Sequence, residues 1–128
     1  MDDTQNLTNI SPLDGRYADK VGFLSQYFSE AALMRYRTLV EIEWMLFLFN
    51  DLKLEGMKKL NAREIRDLRA IYDEFDNISA RRIKEIESTT NHDVKAVEYF
   101  IKENLKGGSL EAYGEFVHFA CTSEDINN

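Results

Sequence analysis

Leu60-Asn61-Ala62-Arg63-Glu64-Ile65 reads as the start of a helix. Asn61 belongs to the residue types whose side-chain oxygen accepts from the free N–H groups of a first helical turn. Glu64, three positions on, is placed to return the bond to the Asn61 N–H in a capping box. Leu60 and Ile65 stand where a hydrophobic staple closes. The device recurs on both sides of this stretch. Ser29 lies between Phe28 and Leu33, and Ser79 between Ile78 and Ile83, each as the N-cap of a staple. Three such starts predict an all-α fold.

The rest of the chain agrees with that pattern. A first long helix is expected over residues 29–52, carrying Leu33, Tyr36, Val40, Trp44 and Phe47 at spacings of three and four. Its second half, Trp44 to Phe49, is apolar all round, the mark of a helix buried on every side. Two readings stay open for it: the central core helix of this domain, or a helix packed against further chain or a subunit. A helix from Asn61 to about Phe75 follows, with Ile65, Leu68, Ile71, Tyr72 and Phe75 on one stripe. A shorter helix is expected over residues 79–87. Residues 88–93 form a polar break, and Asn91 or Asp93 is expected to cap the next helix, which carries Val94, Val97, Phe100 and Ile101. Gly107-Gly108 ends it, and a last helix is expected from about Ser109 to Ala120. No alternating strand, internal repeat or low-complexity tract is visible.

Composition narrows the classes. Apolar residues make up 44% of the 128 and aromatics 12%, enough for a packed core. The 23 acidic residues outnumber the 16 basic ones, a net charge of −7, so no broad basic face for nucleic acid or anionic membrane is expected. Cys121 is the only cysteine, so an intrachain disulfide and a Cys-x-x-Cys metal cluster are both excluded. The two histidines lack the spacing of a zinc site, and no metal or cofactor is expected. Met1 to Asn6 is acidic and polar, unlike a signal peptide, and the longest apolar run is too short to span a bilayer. A cytoplasmic setting is the expectation.

Three polar segments interrupt the helical text. In Ser11-Pro12-Leu13-Asp14-Gly15-Arg16-Tyr17, Asp14-Gly15 marks a tight turn and Gly15 would let backbone approach a ligand. Arg16 offers a planar fork of donors for phosphate or carboxylate, with Tyr17 as a further donor; an ordinary turn with a surface arginine fits equally. In Thr89-Thr90-Asn91-His92-Asp93, hydroxyls, an amide, an imidazole and a carboxylate gather at an expected helix start, where free N–H groups favour anions. His92 could move a proton or bind phosphate, or be part of a plain capping cluster. In His118-Phe119-Ala120-Cys121-Thr122-Ser123-Glu124-Asp125, Thr122 and Ser123 supply two hydroxyls at another helix start, suited to a carboxylate. Cys121 reads as a small packed residue rather than a nucleophile, and His118 as a weak candidate facing either core or site. After Thr122 only a short stretch remains, so the chain is expected to be the N-terminal part of something longer.

The strings SPLDGRY, TTNHDVKAVEYF and FVHFACTSEDINN, in this order, resemble the adenylosuccinate lyases, more closely those of bacterial purine biosynthesis. These belong to the fumarase/aspartase superfamily of all-α, homotetrameric lyases. The resemblance runs from about Leu7 to Asn128 and implies one N-terminal helical domain lacking the central helical bundle. Within it, residues 1–18 would be an extended segment and turn, 19–121 helices, and 122–128 the start of a central helix. It further implies elimination of fumarate from two nucleotides, adenylosuccinate and SAICAR, leaving AMP and AICAR. By the same resemblance Arg16 and Tyr17 match phosphate contacts, and Asn91, His92 and Asp93 a second substrate-binding motif with His92 assisting in proton or charge balance. Thr122 and Ser123 match the pair that holds the succinyl carboxylate. The family's principal acid histidine and base serine lie downstream of Asn128, so the chain alone is expected to be inactive. Two alternatives remain: another lyase of the superfamily, and a non-enzymatic helical binding module.

Overall fold

Side-chain caps fix where the longer helices of this chain begin. A computed structural model describes residues 7–128, and the acidic start over residues 1–6 lies outside the described residues. All regular structure among the described residues is helical, as the caps predict. It divides into two compact units, one up to Leu33 and one from Met34 to Asn128.

The first unit is a chain of turns and single helical turns. The Asp14 N–H donates to the Ser11 carbonyl at 3.1 Å and the Tyr17 N–H to the Pro12 carbonyl at 3.0 Å. Helix α1 (Ala18–Val21), a 3-10 turn (Gly22–Leu24) and α2 (Ser25–Phe28) follow. The Ser29 hydroxyl then accepts the Ala32 N–H at 3.0 Å, so Ser29 caps α3 (Glu30–Phe47) as expected.

Helix α3 buries a different row from the one its spacing suggests. Tyr36, Val40 and Phe47 are more than a third exposed, while Met34, Thr38, Glu41, Ile42 and Met45 are buried. Two polar residues in the true core row hide it from a reading by hydropathy. Each is accommodated by a bond: the Thr38 hydroxyl donates to the Met34 carbonyl at 2.8 Å, and Glu41 pairs with His118. Of the run Trp44 to Phe49, four residues are buried within the described chain, and Phe47 is 43% exposed. The helix does not continue regularly to Leu52. Residues Leu48–Leu52 form a π turn closed by the Lys53 N–H on the Leu48 carbonyl at 3.0 Å. Lys53 leaves it in the left-handed region at φ 51°.

The capping box at α4 (Ala62–Asp73) is complete: the Glu64 N–H donates to Asn61 Oδ1 at 2.9 Å, and the Asn61 N–H to Glu64 Oε2 at 3.0 Å. Glu64 does more than close the box. Lys58 Nζ at 2.5 Å and the Ser109 hydroxyl at 2.7 Å both donate to its Oε1. The Lys58 ammonium first, then Ser109 and the Asn61 N–H, hold this carboxyl down at about 2, against an ordinary 4.5. Its contribution is therefore complete above the ordinary value and is lost as pH falls towards the lowered one. We expect Glu64→Ala to cost about 1–2 kcal/mol at about pH 7, and the gap from wild type to narrow near pH 3. Urea unfolding at the two pH values measures it.

Three boundaries differ from expectation. Helix α5 runs from Asn77 to Thr90 and is capped by Asp76, whose Oδ1 accepts the Ser79 N–H at 2.9 Å. Ser79 is thus the third residue of the helix, because a carboxylate already stands in the cap position. The polar break shrinks to Asn91-His92, since hydroxyl-bearing residues 88–90 tolerate the last helical turn. Beyond α6 (Asp93–Leu105) the expected helix over 109–120 is only a 3-10 turn, Glu111–Phe116, followed by turns to Ala120. The hairpin of α5 and α6 is clamped by Arg82, which donates to both oxygens of Glu103 at 3.0 and 2.6 Å. A short helix, α7 (Ser123–Asn127), ends the chain.

Candidate functional site

In the first unit, Arg16 is exposed and its guanidinium lies 5.1 Å from the centre of the Tyr17 ring. The turn before it is fixed from within: Ser11 Oγ accepts the Leu13 N–H at 3.1 Å, and Asn9 donates to the Asp14 carbonyl at 2.6 Å. Gly15 is buried and is not among the residues with positive φ.

The second segment joins α5 to α6. Asn91 closes α5 in the left-handed region, at φ 52°, with its N–H on the Glu87 carbonyl at 2.8 Å. The cap of α6 is His92, neither Asn91 nor Asp93: His92 Nδ1 accepts the Lys95 N–H at 3.0 Å. That bond needs the Nδ1 lone pair, so the capping imidazole is neutral with its proton on Nε2. In this state Nε2 carries the one N–H donor of the ring, and the Nδ1 lone pair is engaged by the cap. Asp93, the first residue of α6, accepts the Val94 N–H at 2.8 Å. Partial burial works to raise the Asp93 pKa, but the Val94 N–H and the Arg37 guanidinium outweigh it and hold the group below its ordinary value.

The third segment enters α7 through strained backbone. His118 and Ala120 have φ of 64° and 60°, in the left-handed region that non-glycine residues seldom adopt. Thr122 caps α7, and its N–H and hydroxyl both donate to Asp125 Oδ2, at 2.6 and 3.0 Å. The Thr122 hydroxyl proton is therefore already engaged, and Ser123 is the hydroxyl of the pair left for a ligand. Cys121 is half-buried, and burial first, then the Glu41 and Asp125 carboxylates, push its thiol up. That environment opposes a thiolate nucleophile. Beside it Val40, Trp44, Ala120, Cys121, Asp125 and Ile126 line a groove of about 180 Å³.

Helix α3 brings the second and third segments together, through Arg37 and Glu41, which pattern reading passed over, and Trp44, which it read as apolar. Arg37 sits between them: its guanidinium reaches Asp93 Oδ2 at 2.9 Å and donates from Nε to Asn127 Oδ1, also at 2.9 Å. One turn on, Glu41 pairs with His118 Nδ1 at 2.5 Å. One turn further, Trp44 Nε1 donates to the Phe119 carbonyl at 2.7 Å. Positions 37, 41 and 44 thus form one ridge of hydrogen-bonding groups along the helix. The available signal was those three polar-tipped side chains at spacings of four and three within apolar sequence.

A lyase family profile matches residues 15–128, nearly the whole chain. The chain belongs to the lyase family. Its similar relatives include the adenylosuccinate lyase of Vibrio cholerae, 51% identical over 123 residues, which are 95% of this chain and 27% of that protein. The adenylosuccinate lyase of Dictyostelium discoideum is 53% identical over 129 residues, 96% of this chain and 27% of that protein. That of Escherichia coli K12 is 50% identical over 124 residues, with the same two shares. The chain spans about a quarter of the length of the curated relatives it matches.

Proposed function

We propose that this chain is the N-terminal segment of an adenylosuccinate lyase, a cytoplasmic homotetramer at full length. It eliminates fumarate from adenylosuccinate, giving AMP, and from SAICAR, giving AICAR. The observation that carries the reading is Arg37, whose two 2.9 Å bonds tie the Asn91-His92-Asp93 segment to the end of α7, the short helix that Thr122 and Ser123 begin. In this reading a base takes a proton from the succinyl carbon and an acid protonates the leaving nitrogen, so the site must hold a phosphate and two carboxylates still. Arg16 and Tyr17 supply donors for the phosphate. His92 donates from Nε2, and Asp93 holds Arg37 in place. Ser123, with Thr122 shaping the turn, takes a substrate carboxylate. The principal acid and base come from chain beyond Asn128, and the 128 residues alone release no fumarate. No helix of the described residues is long and apolar enough to cross a membrane.

Two substitutions in the full-length polypeptide test the reading. Arg16→Ala should raise KM for adenylosuccinate about tenfold, the effect of losing one charged hydrogen bond to phosphate. Unchanged KM would remove Arg16 from the site. His92→Asn keeps a good cap, so unfolding should shift by less than about 0.5 kcal/mol. It removes the Nε2 donor, so kcat/KM should fall; equal activity would leave His92 as a cap only.

A further inference from the structure

The buried carboxylate of Glu41 is the anomaly of the second unit. Glu41 is 1% exposed, and its Oε2 is, among the described residues, a buried side-chain oxygen with no hydrogen-bond partner. Its Oε1 lies 2.5 Å from His118 Nδ1. Native chains seldom leave such an atom unsatisfied without a functional reason, and an apolar residue of similar size would avoid the cost. The imidazole it meets is held by strained backbone, φ 64° at His118, with a second left-handed residue at Ala120. Strain of this kind fixes the direction of a side chain where packing alone would not.

The consequence lies on the other edge of the ring. His118 makes no second side-chain hydrogen bond among the described residues, and its side chain is 20% exposed. With Nδ1 turned inward to Glu41, Nε2 is the ring nitrogen left for a ligand. The His118 carbonyl accepts the Cys121 N–H at 3.2 Å, one residue before the Thr122 cap. The ring therefore belongs to the same turn that leads into Thr122 and Ser123.

We propose that Glu41 is the positioning residue of His118, holding the imidazole by Nδ1–H so that Nε2 faces an anionic oxygen group of the substrate. This rests on the lyase reading for its ligand, although the pairing itself does not. In the free protein the ring carries a proton on Nδ1, bonded to Glu41. When an anion arrives, Nε2 takes up one proton from solvent, and the imidazolium lies between Glu41 and that anion. Burial pushes the Glu41 carboxyl up while the His118 contact pulls it down, and Glu98 raises it further. The other charged groups near the pair are few. Glu98 is itself bridged by Lys95 at 3.4 Å and Lys102 at 3.6 Å, and Asp125 is engaged by Thr122. Cys121 carries a thiol pushed upward and adds no charge.

The protein contains its own internal reference. His92 accepts at Nδ1 and must carry its proton on Nε2, the opposite tautomer. Nitrogen-15 imidazole spectra at mildly alkaline pH should therefore show two histidines of opposite tautomer, with His118 as the Nδ1–H form. In Glu41→Leu the His118 preference should be lost while the His92 signals stay in place, reporting a folded chain. An Nε2–H form for His118 in the wild-type spectrum overturns the proposal, and that spectrum decides alone if the leucine variant fails to fold. In the full-length polypeptide, Glu41→Gln keeps an acceptor for Nδ1–H but removes the charge that stabilises the imidazolium. Its His118 tautomer should be unchanged while KM for adenylosuccinate rises about tenfold with kcat little altered. A normal tautomer with a normal KM overturns the positioning role. Absence of fumarate release by wild-type full-length protein, with the Nδ1–H tautomer present, would instead overturn the lyase reading and leave the pairing intact.

Discussion

Phe49→Ala is expected to lower the unfolding free energy by about 3–5 kcal/mol. Phe49 is fully buried in the π turn that follows α3. Its ring meets Tyr113 and Phe116 edge-on, with centroids 5.4 and 5.5 Å away and planes near perpendicular. Removing it leaves a cavity beneath the 3-10 turn Glu111–Phe116, whose aromatics lose their partner. A domain of this size has a total stability of about 5–15 kcal/mol, so the loss is a large share of it. The packing between α3 and the turns preceding His118 should loosen as well. Phe47→Ala is the control: at 43% exposure on the same helix, it should cost under about 1 kcal/mol. Urea unfolding of the two variants gives both numbers. A Phe49 cost below that of Phe47 would mean that the aromatic cluster is not the core.

Arg37→Met should lower kcat/KM of the full-length polypeptide about a hundredfold, because a displacement of site groups by about 1 Å costs that much. Methionine keeps the volume and apolar stem of Arg37 but not its fork. The Arg37 side chain is 11% exposed, and it is the direct bridge between Asp93 and Asn127. Without it Asp93 loses one of the groups that hold its pKa below the ordinary value, although its bond to the Val94 N–H remains. The start of α6 and the end of α7 are then free to drift apart. Sign and pH window follow: the folded pKa of Asp93 is lowered, so the Arg37 contribution is present at neutral pH and fades as pH falls through the carboxyl range. The deficit of Arg37→Met in stability should therefore shrink in acid. Activity within about twofold of wild type would show that the two segments keep their places without the bridge.

The legible part of this fold was what local chemistry decides. Ser29, Asn61 and Thr122 stand where capping rules put them, and the Asn61–Glu64 box closes as its spacing requires. The illegible part was where local rules compete. Asp76 displaces Ser79 as the cap because its carboxylate accepts the Ser79 N–H itself, which places Ser79 inside the first turn. His92 caps α6 although histidine is a rare cap, since its ring nitrogen substitutes for the usual oxygen. The core row of α3 includes Thr38 and Glu41, which only tertiary partners make tolerable. The same limit governs the site. The three polar segments stood out as interruptions of helical text, and they carried the family resemblance. Arg37 and Glu41 did not stand out, and Trp44 did so only as an apolar residue, because a helix ridge announces itself only when its partners are in place.

Fumarate formation by the full-length polypeptide that carries this segment tests the central claim most directly. Given adenylosuccinate, it should release fumarate and AMP in equal amounts, and the 128 residues by themselves should release none. Turnover of a different succinyl adduct with adenylosuccinate untouched, or release of fumarate by the short chain alone, would contradict the account.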